Sequence, residues 1–135
     1  MENIKEPVAS VLAQIDRAHY RTLIKTDNHS FISDEPLTIG GADAGPSPQE
    51  LLLASLGSCT AITLRMYIDR KMWIVENINV NVELFEVDGA TLIKRQLSFE
   101  GELSDEQEKR LEQIADACPI HKMLTGKIII ETALR

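Results

Sequence analysis

Three residues of this chain could carry thiol or acid–base chemistry without a cofactor: Cys59, Cys118 and His121. The two cysteines are the only ones in the chain, and their settings differ. Cys59 falls in the middle of an apolar segment that reads as one long helix, residues 45–71, GPSPQELLLASLGSCTAITLRMYIDRK. Far from either helix end, its thiol keeps an ordinary pKa of about 8.5, and burial alone would raise it. A reactive Cys59 therefore needs a cation from elsewhere in the fold; the plain alternative is a small buried apolar residue, a common role for cysteine. Cys118 precedes Pro119, which stops one helix and suits the first position of another. A thiol there stands beside a helix N-terminus, where the thiolate is favoured. His121, three residues on, either assists that thiol or is a solvated residue at a helix end. Cys59, Cys118 and His121 together make a poor metal site, since a single Cys-x-x-His half-motif supplies too few ligands. The expectation is no metal and no organic cofactor. His19 and His29 lie in or near turns and read as surface residues.

The segment around Cys59 organises the rest. Ser47 can cap it, Pro48 suits its first turn, and Glu50 stands three residues after Ser47, as a capping box requires. Leu51, Leu52, Leu53, Ala54, Leu56, Ala61, Ile62, Leu64 and Met66 make the helix apolar on most faces, the mark of a helix buried in a domain or interface. At about 100° per residue, Leu52, Ser55, Leu56, Ile62, Thr63 and Met66 share the stripe of Cys59. Arg65 and Arg70 continue this helix and need no function.

Before it, Val8–Ile15, Tyr20–Thr26 and Ser30–Ser33 read as short strands, with Asp27-Asn28 as turn chemistry; the stretch VASVLAQIDR fits a helix as well. After it the period becomes two. Ile78, Val80, Val82 and Leu84 alternate with polar residues, Asp88-Gly89 is a hairpin signal, and Ile93, Leu97 and Phe99 alternate on the return strand. Ser104 with Gln107 is a second capping box. It opens a helix whose Leu111, Ile114, Ala115 and Cys118 share a face. Pro119–Leu124 starts a new helical turn, Gly126 ends it, and Lys127–Leu134 reads as a last strand. The order is β-β-β-α-β-β-α-β, an α+β fold with antiparallel sheets covering an apolar helix.

At 135 residues the chain is expected to be a single domain, 1–135. A net charge of −7 argues against nucleic-acid backbones and anionic membranes as partners. No run approaches 18 uncharged apolar residues, so no membrane span is expected. The N-terminal MENIKEPVASVLAQ lacks the basic and apolar regions of a signal peptide. Two free thiols without an export signal favour a reducing, cytoplasmic setting.

GPSPQELLLASLGSC and the later ACPIHKML together resemble the two cysteine motifs of the OsmC/Ohr superfamily. DEPLTIGGADAGPSP and the spacing between the thiols fit as well, so the resemblance spans residues 20–135. It implies an intertwined homodimer, with two long central helices wrapped by sheets of both subunits, and thiol-dependent reduction of hydroperoxides. By that likeness Cys59 is the peroxidatic thiol, which becomes a sulfenic acid. Cys118 is the resolving thiol, which closes a disulfide that an external dithiol, lipoyl-like or other, reduces. In the organic-hydroperoxide branch an arginine activates the thiolate and a glutamate holds it. Arg17 best matches the arginine, with Arg21 second. Aligned on Cys59 without a gap, the glutamate falls on Gln49, and Glu50 is one step off, rotated by about 100°. Gln49 can hydrogen-bond an arginine but cannot neutralise it. A redox-sensing or small-molecule-binding protein of the same fold, without fast turnover, is the alternative.

Overall fold

The computed structural model of the chain describes residues 6–134. They form two compact units, which meet in sequence between Leu51 and Leu52.

In the first unit, β1 (Leu12–Ile15), β2 (Thr22–Lys25) and β3 (Ser30–Ser33) form an antiparallel meander. β1 begins four residues later than the apolar run from Val8 suggests. The loop after β3 is organised by Asp34, whose side chain is almost fully buried. Its Oδ1 accepts the Tyr20 and Glu35 N–H groups at 3.0 and 2.7 Å, and its Oδ2 those of Ala42 and Ala44 at 3.3 and 3.1 Å. Burial opposes the Asp34 carboxylate, yet these four donors win and hold its pKa below the ordinary value. A 3-10 turn at Leu37–Ile39 lies within the loop.

The loop delivers the chain to α1 (Pro48–Lys71), which starts as its sequence requires. Ser47 Oγ accepts the Glu50 N–H at 3.2 Å, and the Glu50 carboxylate accepts the Ser47 N–H at 2.9 Å. By length and apolar composition α1 could cross a membrane, but the same is true of the core helices of soluble proteins. Only one stripe of it, Leu56, Thr60, Leu64 and Ile68, is buried in this chain. Leu52, Ile62 and Met66, from the stripe of Cys59, remain 41–62% exposed.

In the second unit that buried stripe faces a long hairpin, β4 (Ile74–Val87) and β5 (Ala90–Glu102). Asp88 and Gly89 turn it with positive φ at both positions, 45° and 78°, the two-residue turn whose twist suits a hairpin. Gly57 lets α1 approach the sheet closely: a Cβ there would stand 3.3 Å from Val82 Cγ2. The ladder is irregular between Val75 and Asn77, and Arg65 donates to the freed carbonyls of Val75 and Glu76 at 2.9 and 3.3 Å. That contact gives Arg65 its structural place.

α2 (Asp105–Ala115) carries the second capping box, with both Ser104–Gln107 hydrogen bonds formed. Its Leu111 closes the core of Leu64, Ile68 and Val75, flanked by Tyr67, Trp73, Ile78, Leu97, Phe99 and Ile114. Fully burying each such aliphatic side chain stabilises the fold by about 1.5–3 kcal/mol. α3 (Pro119–Thr125) follows after a short break and ends at Gly126.

The architecture is α+β with antiparallel sheets and three helices, as the patterning indicates. One element differs. Lys127–Leu134 forms no strand among the described residues. Ile128, Ile129 and Ile130 are 56%, 71% and 85% exposed. Three consecutive isoleucines supply β-propensity, but a strand also needs an edge to pair with, and these residues find none here.

Candidate active site

Cys59 and Cys118 belong to the second unit, and the fold brings them together. Cys59 lies mid-way along α1, partly accessible, with Thr60 and Thr63 beside it in sequence. Cys118 is the N-cap of α3 and is fully buried. Its Sγ accepts the His121 N–H at 3.4 Å. Both cysteines are free thiols.

The two sulfurs differ in acidity. Burial pushes the Cys59 thiol up, and donation of its S–H toward Cys118 pushes it further; the Ile120 N–H and the Thr63 hydroxyl pull down without prevailing. Burial also opposes the Cys118 thiolate. There, hydrogen bonds from Cys59, the His121 N–H, Thr60 and the Ile120 N–H outweigh it and leave that thiol below its ordinary value. Cys59 is thus the weaker acid of the pair and Cys118 the stronger.

Beside the pair stands a residue that sequence patterning passes over. Arg95, on β5, donates from Nη1 to Thr60 Oγ1 at 3.1 Å and to the Ala115 carbonyl at 3.3 Å. From Nη2 it donates to Asp116 Oδ1 at 2.7 Å and approaches His121 Nδ1 at 3.4 Å. Only 13% of its side chain is exposed. An arginine has only protons to give, so His121 Nδ1 is the acceptor in this contact, and its Nε2 lies 3.7 Å from Asp116 Oδ1. A signal was present: the alternation Ile93, Leu97, Phe99 has Arg95 at its missing inward position. A charge on the core face of a strand asks for partners.

The other expected residues lie in the first unit. Arg17 and Arg21 are exposed and make no hydrogen bond or ion pair among the described residues. Gln49 is exposed in the first turn of α1, and the Glu50 carboxylate is committed to the Ser47 N–H. No group of three or more His, Cys, Asp and Glu side chains is placed to hold a metal among the described residues.

A family model described as OsmC-like protein matches residues 40–133, more than half of the chain and both cysteines. The chain belongs to the OsmC-like protein family. Among solved structures, the OsmC-like protein of Mycoplasma pneumoniae superposes with a TM-score of 0.76 at 18% identity, over 90% of this chain and 89% of that one. An organic hydroperoxide resistance protein of Elizabethkingia anophelis gives 0.65 at 20% identity, covering 92% of both chains. The organic hydroperoxide resistance protein OhrB of Bacillus subtilis gives 0.61 at 24% identity, covering 88% of this chain and 91% of that one. At these identities the likeness establishes a shared fold. No curated protein sequence matches the chain.

Proposed function

We propose that this OsmC-like chain is a thiol-dependent hydroperoxide reductase acting through Cys59 and Cys118, with organic hydroperoxides as the preferred substrates. The observation that carries the reading is the pairing of two free thiols of which one is accessible and the other fully buried. Only the accessible sulfur can meet a peroxide. Cys59, as thiolate, attacks an oxygen of the O–O bond; the S–O bond forms, the O–O bond breaks, and the alkoxide leaves as alcohol after taking a proton. Cys118, as thiolate, then attacks the Cys59 sulfenic sulfur. The S–S bond forms, the S–O bond breaks, and hydroxide departs as water. An external dithiol gives two electrons and two protons to restore both thiols. The raised Cys59 pKa calls for a cation in the working state, and Arg17, then Arg21, is the candidate.

The working unit in this reading is a homodimer. Leu52, Ile62 and Met66 on α1 and Ile128–Ile130 after α3 are apolar and exposed, a surface that a second copy would cover. The reading is tested by peroxide consumption with a dithiol reductant: wild type turns over repeatedly, and Cys59→Ser does not. Full activity in Cys59→Ser would remove the proposal.

A second reading, a redox sensor of the same fold with slow turnover, is favoured by one observation. The only glutamate at the head of α1, Glu50, is used in capping, and Gln49 cannot neutralise an arginine.

A further inference from the structure

We infer that Arg95 is a positioning residue for the Cys118 thiolate, acting through Thr60 and His121. The inference rests on the two-thiol reading above and gives the buried sulfur a defined part in it.

Thr60 is fully buried, and its hydroxyl has a single proton. In this structure that proton goes to the Leu56 carbonyl at 2.7 Å, one helical turn back; Thr60 also pulls the Cys118 pKa down, so an ionised Cys118 sulfur is the acceptor that can compete for it. Arg95 Nη1, donating at 3.1 Å, occupies the Thr60 oxygen as acceptor. That uses one of the oxygen's two lone pairs and leaves the hydroxyl proton free to turn between acceptors. When Cys118 ionises, the proton swings from the carbonyl to the thiolate at little expense, because the carbonyl keeps its helical N–H partner. The other branch of the guanidinium reaches His121, whose backbone N–H points at the same sulfur, and Asp116, which fixes the fork.

Among the described residues, the charged and titratable side chains in the hydrogen-bond network around Cys118 come from four places. They are Cys59 on α1, Arg95 on β5, Asp116 just past α2 and His121 on α3. Arg95 is the one permanent cation among them. Asp116 offsets part of its charge, but the Asp116 side chain is 64% exposed and its effect is screened by water.

The consequence concerns reduction of the disulfide. Cys59 is the partly exposed residue of the pair and Cys118 the fully buried one, so a dithiol entering from solvent meets Cys59 first. Its thiolate attacks Cys59, a new S–S bond forms to the reductant, and the old bond breaks with its electron pair leaving on Cys118. A stabilised leaving thiolate leaves faster. The second thiol of the reductant then closes on its own sulfur and releases Cys59. Arg95 therefore favours the direction of attack that burial already imposes.

The test titrates Cys118 alone, with no peroxide involved. In a Cys59→Ser background the thiolate absorbance of Cys118 is followed against pH, with and without Arg95→Gln. The expected result is an apparent pKa higher by about one unit, a tenfold smaller thiolate fraction near neutral pH. Arg95→Lys, which keeps the charge and loses the fork, should recover part of the shift. Thr60→Val should raise the pKa too, and Arg95→Gln should add little on top of it. In the otherwise unchanged two-cysteine chain, reduction of a chemically formed Cys59–Cys118 disulfide by dithiothreitol should slow correspondingly in Arg95→Gln. A Cys118 pKa unmoved by Arg95→Gln in a chain with native circular dichroism overturns the inference. Should Arg95→Gln fail to fold, Arg95→Lys and Thr60→Val decide, and an unmoved pKa in both overturns it. Failure of wild type to form the disulfide with peroxide would remove the two-thiol reading while leaving this titration intact.

Discussion

The core under the site can be probed at Leu111. It is fully buried on α2 and packs against Leu64 and Ile68 of α1 and Val75 of β4. Leu111→Ala removes three carbons from that cluster, about 2.4 kcal/mol of transfer free energy at ~0.8 kcal/mol per methylene. A cavity term is added according to how far the neighbours can relax. Here relaxation is restricted. Tyr67 stands edge-on to Trp73 with ring centroids 5.6 Å apart, and its hydroxyl accepts from Arg110 Nε at 3.1 Å. The aliphatic neighbours belong to α1 and to a strand fixed by its ladder. The expected loss therefore lies in the upper part of the usual range, about 3–5 kcal/mol, a large share of the ~5–15 kcal/mol typical of a folded domain. Urea denaturation followed by circular dichroism measures it, with the midpoint falling at unchanged slope. A loss under about 1 kcal/mol would refute the packing of α2 on this cluster.

Asp34→Asn should lower thermal stability at neutral pH and weaken the acid dependence of unfolding, since an amide oxygen can serve only one pair of the four N–H donors. The sign follows from a folded pKa below the ordinary value. The stabilisation is whole above that ordinary value and is lost as pH falls through the folded one, so an unchanged acid limb in Asp34→Asn would count against it. Sedimentation should find a dimer in wild type and a weakened one in Ile62→Glu, which places a charge on the exposed apolar face; a folded wild-type monomer at low concentration would count against the dimer. Arg17→Ala in a Cys118→Ser background should move the pH profile of Cys59 reactivity upward, with about tenfold less thiolate per pKa unit; an unmoved profile would shift attention to Arg21.

Much of this was legible in the sequence where the signal is local. Ser47 with Glu50, Ser104 with Gln107, and Asp88-Gly89 each declare a boundary through residues three or fewer positions apart, and all three form. Pro119 and Gly126 bracket α3 for the same reason. What escaped depends on distant partners. Asp34 carries no local signal, because its four donors are spread from Tyr20 to Ala44. Arg95 is passed over because Thr60, Asp116 and His121 lie far from it in sequence. Ile128–Ile130 have the composition of a strand, but pairing belongs to an edge that no local pattern specifies. The closeness of Cys59 and Cys118 likewise belongs to tertiary packing between distant parts of the chain, whereas the contrast in their settings is readable locally, from the long apolar helix around Cys59 and from Pro119 after Cys118.

The most direct test of the two-thiol account is peptide mass mapping of the wild-type protein after one equivalent of an organic hydroperoxide. The account predicts a single Cys59–Cys118 disulfide, loss of both free thiols, and a stable Cys59 sulfenic acid or its over-oxidised product in Cys118→Ser. Both thiols left free while the peroxide persists, or oxidation confined to Cys118, would contradict it.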